Sequence, residues 1–437
     1  ELMTTASVLL TLSVALLAGL LLTRLAKLVG LPAVTAYLIA GILLGPFVIG
    51  RLQVEGIGFP SLAAVDGYSV LCDLALGFIA FSIGNEFRLS QLKKIGRQAT
   101  VIGIFQAVFT TVLVDVVLVI VHLCMPDVLP LSSAIILGAV AAATAPAATL
   151  MVVRQYKAKG KLTDILLPVV ALDDAVGLVL FAISFGVAKA LNMGEVDVLS
   201  IVLEPIIEVV LSLVLGALMG MLFTWVEKFF HSRSKRLAIS VTFVMLTVAI
   251  SSLQFEVGGV HIGFSSLLAC MMLGTVFCNI CDFSEELMER AERWTTPLYV
   301  LFFVLSGAAL DFSVFGQLAV VLVGVVFVLS RTLGKYTGAR ISAKLTGCDE
   351  NVVKYLGITL LPQAGVAIGM ASKAMEMGES GALVQSITLF AVLVYEIVGP
   401  YLTKISLMKS GDIRPEGRKS ARDRTAARPP EDAGGAP

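Results

Sequence analysis

Two adjacent carboxylates, Asp173 and Asp174, lie near the centre of an apolar run that reads LLPVVALDDAVGLVLFAISFGVA. An ionised carboxylate at the centre of a bilayer costs about 2.5–3.5 kcal/mol on insertion scales. A pair of them is therefore expected to have a charged partner or a function. Neighbouring residues on a helix point about 100° apart, so one carboxylate can face a partner helix while the other faces a water-filled cavity.

Four more charged residues are candidates for this chemistry. Arg331 lies deep in the run VVLVGVVFVLSRTLGKYTGA and is the clearest partner for an aspartate. Lys335 lies one turn closer to the end of that run, where a long side chain can reach the membrane interface. Asp115, inside another apolar run, is either a secondary proton group or a packing partner. Glu86, at the end of a run, is a secondary candidate that water can reach.

The residue types indicate cation and proton binding. Sodium and lithium are hard cations that prefer carboxylate, carbonyl and water oxygens. A carboxylate can hold a metal ion or a proton, but not both at once, so one site can exchange them. Thr144 and Gln363 offer further oxygens, although a hydroxyl in a membrane helix often bonds only to its own backbone.

Two prolines predict where the helices that carry these oxygens are interrupted. Thr144-Ala-Pro146 and Leu361-Pro362-Gln363 both lie in the middle of long apolar runs. Proline removes a backbone donor and clashes with the preceding turn, so both helices should kink or break at mid-membrane. Paired interruptions in the two halves of a chain point to a transporter binding site, although membrane helices also tolerate proline without such a role.

The composition predicts an all-α integral membrane protein with many spans. The 437 residues are 57% hydrophobic and 15% charged, with a mean hydropathy of +0.93. The apolar runs are long enough to cross a bilayer as helices and lack the alternation of a membrane barrel. No phosphate-binding glycine motif is present, which excludes a nucleotide-driven pump of that type. We expect about thirteen spans, near 5–27, 31–50, 68–87, 97–124, 131–152, 163–190, 199–228, 236–254, 262–280, 295–312, 316–343, 351–374 and 382–406.

Basic residues on alternate loops predict the topology. The richest loops carry Arg88, Lys93, Lys94 and Arg97, then Arg154, Lys157, Lys159 and Lys161. The positive-inside rule places these loops in the cytoplasm, with the N-terminus outside and the C-terminus inside. An odd span number predicts two inverted six-helix repeats, and each proline break falls in the fifth span of its half. Residues 1–408 form the transmembrane domain, and the polar segment 409–437 is predicted to be a disordered cytoplasmic tail.

Four segments of the chain resemble the monovalent cation:proton antiporters of the Kef, NapA and NhaA kind. They are GLPAVTAYLIAGILLGP at 30–46, the aspartate pair at 173–174, PLYVLFFVLSGAALDF at 297–312 and RTLGKYTGA at 331–339. The resemblance covers the chain from about residue 5 to about residue 406. Two departures are notable. The basic position is often Lys in relatives with paired aspartates and here is Arg331, and the segment LPQAG stands where many relatives have Arg and Glu.

The resemblance implies an NhaA-like fold with crossed discontinuous helices, in a homodimer that works by an elevator-like alternating access. Core helices near 97–190 and 316–406 would move against scaffold and dimerisation helices near 5–50 and 199–280. Asp174 would be the main carrier of sodium and protons, and Asp173 would be bridged to Arg331.

The leading hypothesis is therefore a sodium (or lithium)–proton antiporter of a bacterial inner membrane, acting in pH homeostasis. Potassium–proton exchange by the same machinery, or sodium-coupled symport of an organic acid, remains an alternative. We expect no enzyme activity, because an intramembrane aspartyl protease needs its two aspartates on different helices. We also expect no cofactor and no nucleic-acid partner. The partners are the cations, protons and the lipid bilayer.

Overall fold

The protein is a bundle of helices, described from a computed structural model. The structure describes residues 5–54, 56–85, 89–193, 198–230, 232–253, 255–257, 260–281, 283–310, 316 and 318–413. The described residues form sixteen α-helices and one two-stranded hairpin. The helices are α1 (Thr5–Leu28), α2 (Ala33–Leu44), α3 (Leu62–Asp66), α4 (Ser69–Gly84), α5 (Leu89–Cys124), α6 (Leu131–Val140), α7 (Pro146–Tyr156), α8 (Lys161–Met193), α9 (Val198–Glu227), α10 (Arg233–Ser251), α11 (Ser266–Ile280), α12 (Ser284–Ala308), α13 (Leu318–Leu345), α14 (Glu350–Thr359), α15 (Gly365–Ala374) and α16 (Glu379–Lys409).

The helices lie on the apolar runs, which confirms an α-helical, multi-pass membrane protein. Within the described residues, eight segments are long and apolar enough to cross a membrane as single helices. Three shorter apolar helices, α4, α6 and α11, accompany them. The number of thirteen crossings and the inverted repeats stay predictions, as does the division into core and scaffold helices.

Both proline-containing runs are interrupted where the prolines predict it. The first run divides into α6 and α7, with residues 141–145 between them and Pro146 at the first position of α7. Proline suits that position, because its missing N–H would have no partner inside the helix. The second run divides into α14 and α15, with residues 360–364 between them. Each break exposes backbone carbonyls at the end of the preceding half-helix.

A small hairpin is the exception to the helical pattern in the described part of the chain. Strand β1 (Phe255–Val257) pairs antiparallel with β2 (Val260–Ile262) between α10 and α11. Three residues per strand are too few to cross a bilayer, for which about nine to eleven are needed. The hairpin is therefore a connection rather than a spanning element.

Helix α5 is held closely between α8 and α13 through small residues. A Cβ added at Gly103 of α5 would meet the Cβ of Leu172 in α8 at 3.2 Å. A Cβ added at Gly334 of α13 would lie 3.0 Å from the Cα of Thr110 in α5. One added at Gly338 would lie 3.1 Å from the Cα of Gln106. Small residues allow membrane helices to approach at backbone distance. This packing brings α5, α8 and α13 together at the level of the two aspartates.

The first turn of α8 is capped by a residue from the far end of the chain. Gly160 precedes the helix and has no side chain to accept from its free backbone donors. Oδ2 of Asp412 accepts from both the backbone N–H and the hydroxyl of Thr163, each at 2.7 Å. A Cβ at Gly160 would lie 2.5 Å from Oδ1 of Asp412. Residues 410–413, which fall within the predicted disordered tail, are thus packed against α8, and 414–437 lie outside the described residues.

Candidate functional site

The two helix breaks lie against each other and form the centre of the site. The backbone N–H of Ala145, in the first break, donates to the carbonyl of Pro362, in the second, at 2.7 Å. The half-helices α6 and α14 both end here, and helix C-termini carry partial negative charge. Such helix ends attract cationic side chains, and two of them, Arg331 and Lys335, reach the breaks from α13.

Arg331 joins the two breaks through their carbonyl oxygens. Its guanidinium donates to Ala141 at 3.0 Å, to Ala143 at 2.6 Å and to Leu361 at 2.8 Å. The same group lies 4.4 Å from the ring centroid of Tyr395 in α16. The side chain is fully buried. Its planar array of donors spreads over three carbonyls that lie on both breaks, a wider set of positions than the compact ammonium of a lysine reaches.

Lys335 is the partner of Asp173. Its Nζ lies 2.6 Å from Oδ2 of Asp173, and both side chains are fully buried. The ammonium also donates to the carbonyl of Ala142 at 2.5 Å and to Oγ1 of Thr144 at 2.9 Å. Lys335 therefore neutralises a carboxylate and the end of α6 together.

The expected bridge between Asp173 and Arg331 is wrong, and so is the expectation that Lys335 reaches the membrane interface. Helix α13 continues to Leu345, so Lys335 lies in its interior, covered by α5 and α14. Arg331 is turned to the carbonyls at both breaks instead.

Asp173 has a donor on each of its oxygens. Oδ2 accepts from Lys335 and from the hydroxyl of Thr144, the latter at 2.6 Å. Oδ1 accepts from Nε2 of Gln106, which lies in α5. The sequence reasoning missed Gln106, although a lone amide in the apolar run IFQAVF was a signal that could have found it. The carboxylate of Asp173 is thus held by three donors from three segments of the chain.

Asp174 is the unpartnered member of the pair. It is only 1% exposed, yet neither of its carboxylate oxygens has a hydrogen-bond partner among the described residues. A buried carboxylate without donors is costly to keep ionised, so the group favours a proton or a cation. The two adjacent aspartates thus have opposite surroundings.

Thr144 and Gln363 both lie at the breaks. The hydroxyl of Thr144 bonds to the Asp173–Lys335 pair and lies 3.3 Å from the carbonyl of Leu360. Nε2 of Gln363 donates to the carbonyl of Val140 at 2.9 Å, which leaves its buried Oε1 without a partner in the described structure. An amide oxygen of this kind can ligate a hard cation.

Of the two remaining candidates, the structure describes only Asp115, which lies apart from this cluster. Asp115 lies against α6, where a Cβ added at Gly138 would lie 1.7 Å from its Oδ1. That oxygen is buried and has no hydrogen-bond partner among the described residues. Glu86 lies outside the described residues.

Paired half-helices that meet around buried charges are the arrangement of secondary ion transporters. The comparisons with known proteins agree with this class. The model of the family "Sodium/hydrogen exchanger, transmembrane" matches residues 12–409. The chain therefore belongs to the sodium/hydrogen exchanger family and is a transporter rather than an enzyme.

Two curated relatives and two solved structures extend the comparison. The Na(+)/H(+) antiporter NhaS4 of Synechocystis is 24% identical over 92% of this chain and 96% of its own length. The Na(+)/H(+) antiporter of Enterococcus hirae is 22% identical over 86% of this chain and 92% of its own. Two structures of the sodium proton antiporter MjNhaP1 of Methanocaldococcus jannaschii match with TM-scores of 0.63 and 0.69, at 19% and 17% identity. The first match covers 93% of this chain and 97% of the MjNhaP1 chain, and the second covers 94% and 96%. The two proteins therefore share a fold.

Proposed function

We propose that the protein exchanges sodium or lithium for protons, and that Asp174 alternately carries the cation and the proton. The observation that carries the proposal is that neither Asp174 oxygen has a hydrogen-bond partner among the described residues, whereas both oxygens of the adjacent Asp173 accept hydrogen bonds. Relatives across most of the chain's length carry the name Na(+)/H(+) antiporter, which supports this choice of ions.

The two aspartates are not equivalent as carriers. A cation that bound to Asp173 would have to displace Lys335, whose Nζ already lies 2.6 Å from Oδ2. Among the described residues Asp174 has no hydrogen-bond or ion-pair partner, so a proton or a cation can bind there without breaking an ion pair.

A second oxygen from the helix breaks is proposed as a ligand of the cation. Oε1 of Gln363 is buried and has no hydrogen-bond partner among the described residues, and water would complete the ligand set. The hydroxyl of Thr144 contributes indirectly, because it holds the Asp173–Lys335 pair next to the break. Hard oxygen ligands of this type suit sodium and lithium.

The proposed transport cycle is alternating access by the core helices of a homodimer, with the N-terminus outside and the C-terminus in the cytoplasm. The two breaks are joined to each other by Ala145 and Pro362, and to α13 by Arg331. Half-helices tied in this way would move as one unit with the bound ion, past the scaffold helices. The match to the MjNhaP1 fold is consistent with this division.

The function is tested by proton flux in proteoliposomes with an imposed pH gradient. Sodium, lithium and potassium are added in turn to wild type, to Asp174→Asn and to Glu396→Gln. Glu396 is a matched control, since it is a buried acid on α16 whose Oε2 has no partner among the described residues. We expect sodium and lithium to collapse the gradient in wild type and in the control, and Asp174→Asn to behave like protein-free liposomes.

Other outcomes distinguish the alternatives. If potassium alone collapsed the pH gradient, the substrate would be potassium rather than sodium, and Asp174 would remain the proposed carrier. No response of wild type to any of the three cations would reject exchange, and sodium-driven uptake of organic acids would then be measured. An active Asp174→Asn variant would reject Asp174 as the carrier.

A further inference from the structure

We infer that Gln106 is a positioning residue that keeps Asp173 separate from the exchange reaction on Asp174; this inference rests on the proposed function. The side chain of Gln106 is fully buried in α5 and donates through Nε2 to Oδ1 of Asp173. The same Nε2 lies 3.2 Å from the carbonyl of Gly103 in its own helix. The amide therefore links α5 to the aspartate pair of α8.

The backbone on either side of Gln106 is held in place. Gly338 of α13 packs against its Cα, and one turn earlier Gly103 packs against Leu172, which immediately precedes Asp173. Close packing of this kind leaves little freedom for α5 to shift relative to α8 or α13. The amide of Gln106 is thus held next to Asp173 at a fixed position along α8.

The three donors to Asp173 differ in what they can do during transport. Lys335 carries a charge and can exchange a proton, and Thr144 lies in a helix break. Gln106 carries an amide that neither gains nor loses a proton, on a continuous helix of 36 residues. When the contacts of Lys335 or of the break change, the amide still holds Oδ1. Asp173 then cannot turn to share the cation or proton of its neighbour.

The arrangement therefore assigns one task to each of the two adjacent carboxylates. Asp174 exchanges, and Asp173 stays bonded to Lys335, whose Nζ also donates to the carbonyl of Ala142 at the end of α6. Without the amide, Oδ1 of Asp173 would lose its donor from α5 and become a carboxylate oxygen open to the exchanged ion beside Asp174. The exchanged ion would then divide between two sites, and transport would lose efficiency.

The test combines transport with a double-mutant cycle. Gln106→Leu keeps a side chain of similar size and removes the donor. We expect kcat/KM for sodium-driven proton flux to fall about tenfold or more, which corresponds to ~1.4 kcal/mol. A role in packing alone would leave the Leu variant close to wild type.

The cycle compares the effect of Gln106→Leu on thermal unfolding in wild type and in Asp173→Asn. We expect a clear drop in the unfolding temperature in wild type and a much smaller one in Asp173→Asn, where the charged acceptor is gone. Equal drops in both backgrounds would overturn the inference, as would unchanged transport. Should the Leu variant not fold, Gln106→Asn, whose amide is one methylene shorter, takes its place in both measurements. Inactive wild type would instead reject the proposed function.

Discussion

At the residue scale, the site places two cations one turn apart on α13 and gives them different acceptors. Arg331 donates hydrogen bonds to three carbonyl oxygens, and Lys335 donates to one carbonyl, one hydroxyl and one carboxylate oxygen. The guanidinium stays protonated, so Arg331 is a permanent brace for the broken helices.

The buried pair of Asp173 and Lys335 makes a prediction about stability. Removing one partner leaves a charge in the interior without compensation, which costs about 3–5 kcal/mol, whereas removing both charges is far less harmful. We expect Lys335→Met to lower the unfolding temperature strongly and Lys335→Met with Asp173→Asn to recover most of the loss. Thermal unfolding of the purified protein in detergent measures both. A double variant as unstable as the single one would show that Lys335 acts through packing.

At the element scale, close approach of helices sets the depth at which these side chains meet. Gly357 of α14 faces the backbone of α13, where an added Cβ would lie 2.6 Å from the Cα of Tyr336. Tyr336 follows Lys335 directly, so the position of α14 controls the position of the ion pair. The second helix break is joined to α13 at the same level by the bond from Arg331 to Leu361.

Gly357→Ala should therefore separate α13 from α14. Overpacking of this type costs about 1–3 kcal/mol, and we expect both the unfolding temperature and the transport rate to fall. Gly369→Ala is the matched control, because Gly369 lies inside α15 and an added Cβ would meet nothing within 4 Å. The control should gain up to about 1 kcal/mol from helix propensity. Similar losses in both variants would contradict the role of this contact.

At the scale of the whole molecule, the beginning of α8 and the end of α16 are tied together across 249 residues of sequence by Asp412 and Thr163. The match to the family model ends at residue 409, so this contact lies just beyond it. Helix α8 carries both aspartates, and its first turn depends on a residue from the last described segment of the chain. The ends of the bundle thus help to hold the helix that carries the site.

The cap predicts a difference between two substitutions at one position. Asp412→Ala removes the acceptor for Thr163 and should cost about 1 kcal/mol, while Asp412→Asn should retain most of the stability, since Asn caps helices about as well as Asp. Thermal unfolding of the two variants beside wild type measures the difference. Equal effects would mean that the charge of Asp412, rather than its hydrogen bonds, stabilises the start of α8.

The sequence by itself determined the class of fold and the location of the site along the chain. Apolar runs of about 20 residues without the alternation of a membrane barrel form helices in a bilayer. Proline favours an interruption, as at Pro146 and Pro362, although α8, α12 and α16 continue through Pro168, Pro297 and Pro400. Two adjacent aspartates in such a run are too costly to be incidental. These are local properties of chain and solvent, so they did not depend on how the helices pack.

Only the tertiary structure decided which side chains meet. Arg331 and Lys335 lie on the same face of α13, about 6 Å apart along its axis, so the sequence alone allowed either of them to reach an aspartate. The depth and rotation of α13 against α5 and α14 decide that Lys335 pairs with the carboxylate of Asp173 and that Arg331 donates to the carbonyls at the helix breaks. The contacts of Gln106 with Asp173 and of Asp412 with Thr163 also join distant parts of the chain, 67 and 249 residues apart. Packing of distant helices alone places such groups together, because no local preference of the chain specifies a distance between them.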